Sequence, residues 1–155
     1  VFETVPETFV MLVNNLEIFG IINVTLINTA VSDTTGIVGM AVPKYLDTGQ
    51  RNYYQAHIAS STDSELRVLT VSLDAMQIPK TVGLIKIDAE GHEMLVLKGM
   101  RETLRRDRPL LIVEMNHREV WELLGSLDYV GIRLPGSPNT VFHRNDLRWE
   151  DLAKY

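Results

Sequence analysis

The chain of 155 residues contains no cysteine. Disulfides, thiolate zinc sites and a cysteine nucleophile are therefore excluded. It also lacks an excess of positive charge: 15 Lys and Arg stand against 20 Asp and Glu. A general binder of the nucleic-acid backbone needs a basic face, so nucleic acid is not an expected partner. No apolar run approaches the length of a membrane span. No charged-then-apolar leader resembles a secretory signal, and a cytoplasmic location is the default expectation. The glycines are scattered, with no GxGxxG, no P-loop and no HExxH. Nothing here serves as the phosphate- or cofactor-cradling loop of a complete nucleotide fold.

What is present suits one globular domain over residues 1–155. Apolar residues make up 45% and charged residues 23%, close to ordinary globular usage, and the length suffices for a real core. The opening Val1-Phe2-Glu3 reads as the end of a strand, so the chain is expected to be an N-terminally trimmed piece. A helix follows from Pro6, with Phe9, Leu12, Val13 and Leu16 at helical spacing as one buried stripe and Gly20 as its stop. Residues 23–28 are rich in β-branched side chains and predict a strand, which completes a βαβ unit. Residues 30–36 form a polar turn at its end. Strands are expected at 37–42 and 66–73, paired antiparallel. Residues 44–65 between them show no period and read as a functional loop, with Tyr53, Tyr54 and His57 as covers for a ligand.

The second half is more regular. A buried central strand, 84–87, runs into an acidic turn; a helix is expected from about Glu93 to Arg106, burying Leu97, Met100 and Leu104. The apolar run 110–113 predicts a strand covered on both faces. A further helix, 119–127, and a hairpin of strands 129–134 and 140–143 complete the order. The class is α/β: a mostly parallel sheet with helices on both faces and a C-terminal antiparallel hairpin.

Polar clusters close four of these strands. They are Glu3; the turn of Ala30, Val31, Ser32 and Asp33; the run Asp88, Glu90, His92 and Glu93; and Glu114, Asn116 and His117. In a parallel sheet these ends share one edge, where open α/β sheets bind ligands. For any one cluster, helix capping and solvation explain the residues as well; for four together they explain less. Glu3 suits two adjacent ribose hydroxyls, although an ordinary strand-end glutamate is the better reading on spacing alone. Crowded carboxylates at Asp88 and Glu90 favour a shared proton or a cation, hence a general base or a divalent metal. The plainer reading is that Glu90 and Glu93 stabilise a helix terminus, with Lys86 as a neutralising partner. Glu93 is expected to be structural, Asp88 functional and His92 solvent-exposed, with His117 carrying slightly more weight as a base or ligand.

The string Ile85-Lys86-Ile87-Asp88-Ala89-Glu90-Gly91-His92-Glu93, followed by Val96-Leu97-Lys98-Gly99, Arg108-Pro109 and Val113-Glu114, resembles the signature of FkbM-type methyltransferases. Phe2-Glu3 with Pro6, Asn15-Leu16, Ala30-Val31-Ser32-Asp33 with Gly36, and Ser72-Leu73-Asp74 fit the same family in the same order. The resemblance implies a Rossmann-like fold and an S-adenosylmethionine-dependent enzyme that methylates a hydroxyl on a small molecule such as a sugar or natural product. It implies that Glu3 holds the cofactor ribose, that Ala30, Val31, Ser32 and Asp33 line the adenine, and that Asp88 and Glu90 face the methyl-transfer centre. Glu114 and His117, at the neighbouring strand end, complete the candidate catalytic set, and Asp88 also borders the cofactor. The family's glycine-containing loop should precede Phe2, so the first βα unit is expected to be missing. Two alternatives remain open: a metal-dependent variant using Asp88, Glu90 and Glu114, with His117 as an optional further ligand, and a non-catalytic domain that presents loop 44–65 to a partner.

Overall fold

Val1 and Phe2 run parallel to the chain around Ile27, with Glu3 N donating to Ile27 O at 3.1 Å and Ile27 N to Val1 O at 3.0 Å. The pairing amounts to one isolated parallel bridge, Phe2 to Ile27, so the strand expected over 23–28 is reduced to a contact point. The computed structural model describes residues 1–59, 64, 66–114 and 117–146.

Between the two halves of that bridge lies α1 (Pro6–Ile18), opened by Pro6 in the first turn with Glu7 at the positive end. Its stripe of Phe9, Leu12, Val13 and Leu16 is only half-buried, and no residue of α1 is fully buried. Phe19 and Ile22 beyond it are exposed.

Among the described residues, the remaining strands form two four-stranded sheets. The first contains β1 (Ala30–Val31), β2 (Gly36–Ala41), β3 (His57–Ala59) and β4 (Leu66–Val71), in the order β1-β4-β2-β3. The antiparallel pairing of β2 with β4 agrees with the sequence expectation. Two details differ. Ala30 and Val31 are themselves a strand, parallel to β4, so the polar turn begins at Ser32. The stretch 44–65 is not wholly loop: β3 lies inside it and pairs with β2. Tyr53 packs against the core of this sheet with Val5, Met40 and Val68, while Tyr54 is exposed.

The second sheet contains β5 (Leu84–Ile87), β6 (Leu110–Glu114), β7 (Tyr129–Arg133) and β8 (Asn139–Arg144), in the order β5-β6-β8-β7. The expected hairpin is β7 and β8, in antiparallel register. Pairing across the two sheets is mixed rather than mostly parallel. A parallel pair requires a long crossover, and within this sheet only β5 to β6 has one; β7 and β8 are joined by a short turn. β5 lies at an edge of this sheet rather than in its centre, and Leu84 is exposed.

The crossover is broken into α2 (Glu93–Lys98) and α3 (Arg101–Asp107), where sequence spacing predicts one helix. Asp74 makes the break. The Gly99 carbonyl, which a continuous helix would offer to Thr103 N, accepts from Asp74 N at 3.0 Å. Thr103 N turns instead to Asp74 Oδ1 at 2.9 Å and Glu102 N to Oδ2 at 2.9 Å. A distant aspartate thus satisfies two of the orphan amides of α3. Leu97, Met100 and Leu104 face inward as expected and meet Leu111, Val113, Phe142 and, from α4 (Arg118–Gly125), Val120 and Leu124. Each such fully buried side chain contributes about 1.5–3 kcal/mol of hydrophobic transfer. Phe2, Val31 and Leu73 join the same cluster, so the strand ends of the first sheet share its core.

Candidate active site

β5 and β6 are parallel, with Ile87 opposite Val113. The residues that continue them, Asp88 and Glu114, therefore arrive side by side. Asp88 raises the pKa of Glu114 above the ordinary carboxylate value, chiefly by its charge; partial desolvation and a hydrogen bond from the pair add to this, and Glu90 contributes less. Lys86 acts in the opposite direction. It sits two residues before Asp88, on the same face of the chain, and its Nζ is 2.6 Å from Asp88 Oδ2. The crowding expected between Asp88 and Glu90 falls instead between Asp88 and Glu114, and Lys86, expected to neutralise Glu90 and Glu93, pairs with Asp88.

The chain then reverses in a tight turn. His92 N donates to Ala89 O at 3.0 Å, and the two central residues both have positive φ, 46° at Glu90 and 92° at Gly91. This is the backbone of a type I′ turn, which Gly91 adopts without strain and Glu90 does not. Glu93 holds the turn from inside. It is 1% exposed, and its Oε1 accepts from Ala89 N and Gly91 N, both at 3.1 Å. Its Oε2 is buried without a hydrogen-bond partner. Glu93 is thus a structural tie of the turn.

His92 is not solvent-exposed as expected. It is half-buried, and its Nε2 lies 2.9 Å from Ser32 Oγ. Burial lowers its pKa below the ordinary 6.5, with Asp33 and Glu93 opposing the shift. Ser32 is itself buried and lies 3.2 Å from Asp33 Oδ1, while Asp33 is exposed. The turn after β1 and the turn after β5 are therefore in contact, as the strand-end argument requires.

The other candidates are placed differently. Glu3 Oε1 accepts from Val5 N at 2.7 Å, a local contact just before α1. His117 is exposed at the N-cap of α4 without a side-chain capping bond, and it is not among the groups that shift Glu114. Asn116 lies outside the described residues. Among the described residues, no three His, Asp or Glu side chains are grouped so as to hold a metal ion. No helix among the described residues is long and apolar enough to cross a membrane.

Sequence reading missed three contributors. The Ser32–His92 contact joins residues 60 positions apart and leaves no local pattern. Asp74 caps a helix from 28 positions away. Gly99 was singled out only as part of the family resemblance: a β-carbon there would overlap the Ser32 carbonyl oxygen, so the α2 C-terminus must be glycine to seat the turn.

The profile of the methyltransferase FkbM domain matches residues 1–131. The chain belongs to the FkbM methyltransferase family. The matched stretch includes every strand-end cluster described above. The crystal structure of the methyltransferase FkbM from Methylobacillus flagellatus KT, at 2.20 Å resolution, superposes with a TM-score of 0.62 at 18% identity. The match covers 92% of this chain and 35% of that one, so the chain spans about a third of that protein's length. At this identity the likeness concerns the fold. No curated protein matches the chain.

Proposed function

We propose that this FkbM-family chain carries the reaction side of an S-adenosylmethionine-dependent methyltransferase that O-methylates a small-molecule hydroxyl, of a sugar or a natural-product-like compound. The observation that carries the reading is the Asp88–Glu114 pair at the carboxyl ends of two parallel strands, with the Glu114 pKa raised by its neighbour. Methylating a hydroxyl releases a proton, and Glu114, its pKa raised by the neighbouring Asp88 charge, is suited to take it.

The donor set fits the cofactor. Glu3, Asp33, Asp88, Glu90 and Glu114 offer carboxylate oxygens, which are acceptors; ribose hydroxyls, an exocyclic amine, an ammonium and a sulfonium are donors or cations. Glu3, with Oε1 engaged by Val5, would use Oε2 toward the ribose. Ala30, Val31, Ser32 and Asp33 would line the adenine, and Asp88 and Glu90 would border the methyl-transfer centre. When bound, the cofactor supplies an electrophilic methyl on a positively charged sulfur. The chain's own part is to hold the acceptor hydroxyl near Asp88 and Glu114 and to remove its proton as the oxygen–methyl bond forms. His117, at the N-cap of α4, is kept as a substrate-side candidate.

In this reading the open edge of β5 receives a further parallel strand bearing the glycine-containing cofactor loop, and the sheets belong to one Rossmann-like domain. Calorimetry with S-adenosylmethionine and its demethylated product, on the chain carrying that unit, tests the proposal. Saturable binding of either is expected; absence of binding by both overturns it.

A further inference from the structure

We propose that His92 is a positioning residue that aims the Asp33 carboxylate through Ser32, and thereby selects a base carrying an exocyclic amine at the turn after β1. The inference rests on the cofactor reading above, because it assigns that turn to the adenine.

Proton counting carries the argument. Ser32 Oγ has two close partners, His92 Nε2 at 2.9 Å and Asp33 Oδ1 at 3.2 Å. A serine hydroxyl has one hydrogen to donate. The Asp33 carboxylate accepts only, so that hydrogen goes to Asp33. His92 must then donate from Nε2–H to the serine oxygen. Both bonds exist together only in this direction, His92 to Ser32 to Asp33. Asp33 Oδ1 accepts from Ser32 and, at 3.4 Å, from Thr34 Oγ1, which leaves Oδ2 of this exposed carboxylate to accept from a ligand, where an amine donor would be matched and a carbonyl would be repelled.

The surroundings fix the relay in place. His92 is the N-cap of α2 and Gly99 its C-cap. The first holds Ser32 by its side chain, and the second lies against the Ser32 backbone, where a β-carbon would overlap the carbonyl oxygen. Ser32 N in turn donates to Val71 O at 2.9 Å. The turn that ends a strand of one sheet is thus clasped by both ends of a helix that follows a strand of the other. Asp33 and Glu93 are the charges that act on His92, and both favour imidazole donation.

Two measurements test this. The first is nitrogen-15 NMR of His92 in the chain itself at neutral pH. A proton on Nε2 is expected, with its signal moving in Ser32→Ala; an Nδ1–H tautomer with bare Nε2 overturns the relay whether or not any cofactor binds. The second compares S-adenosylhomocysteine with its hypoxanthine analogue by calorimetry on the protein carrying the cofactor-loop unit. Wild type should prefer adenine at least tenfold. His92→Phe should lose most of that ratio, and His92→Gln, which keeps an N–H donor, should recover part of it. An unchanged ratio in a folded His92→Phe variant overturns the proposal. If neither compound binds wild type, the cofactor reading fails, and the tautomer measurement still decides the relay.

Discussion

Asp88 stands beside Glu114 because β5 and β6 are parallel and in register, with Ile87 opposite Val113. Neither carboxylate has this neighbour in the sequence, where 25 residues lie between them. The pairing sets the charge of Asp88 against the Glu114 carboxyl and raises its pKa.

Asp88→Asn removes the charge that raises the Glu114 pKa. Carbon-detected NMR titration should show the Glu114 carboxyl moving down toward the ordinary carboxylate range. Circular dichroism should show the fold intact, and the proposed methyl transfer, measured on the protein carrying the proposed cofactor-loop unit, should be abolished. Wild-type turnover in a folded variant would remove Asp88 from the chemistry.

The turn at Glu90 and Gly91 stores backbone strain. Glu90→Gly should raise stability in urea denaturation by up to about 1 kcal/mol, since glycine accepts positive φ without a β-carbon penalty. Gly91→Ala should lower it by about 1–2 kcal/mol for the same reason. A loss of activity in the stabilised Glu90→Gly variant would mark Glu90 as retained for function rather than folding.

Gly99→Ala places a methyl group against the Ser32 backbone, which cannot rotate away as a side chain would. Overpacking of this kind costs about 1–3 kcal/mol. The midpoint of unfolding should fall, and the His92 imidazole signals should shift as the Ser32 turn is displaced. Unaltered His92 signals would show that the turn is not seated on Gly99.

Acid should weaken the fold in two separate windows. Burial holds the His92 pKa below 6.5, so as pH falls through that value the unfolded chain protonates first and stability declines until the lower folded pKa is passed. The Arg106 hydrogen bond and the Val82 amide hold Asp107 down at about 2. Its contribution is complete above the ordinary aspartate pKa of about 4 and disappears as pH falls through about 2. The difference in unfolding free energy between wild type and Asp107→Asn should therefore close between those values; a difference unchanged at pH 2 would contradict the assignment.

Much of this protein is written locally. The strand 84–87, the apolar run before Glu114, the hairpin of β7 and β8, and the inward set Leu97, Met100 and Leu104 all follow from side-chain period and turn residues. The acidic turn and its glycine were legible as a local run of residues, whereas the crowding of Asp88 against Glu114 was not, because it arises between two strands. The motifs were enough to suggest the family, which the profile match then established. Three things were decided by the tertiary structure alone. The helix expected from Glu93 to Arg106 was cut by Asp74, whose hydrogen bonds are made only when a distant turn docks. The β-branched stretch 23–28 kept a single bridge, because pairing depends on a partner of equal length and not on propensity. His92, outwardly a surface histidine, became half-buried because Gly99 lets the Ser32 turn settle against α2. Sequence specifies which groups can donate, accept or bury; contact between residues far apart in the chain decides which of them meet.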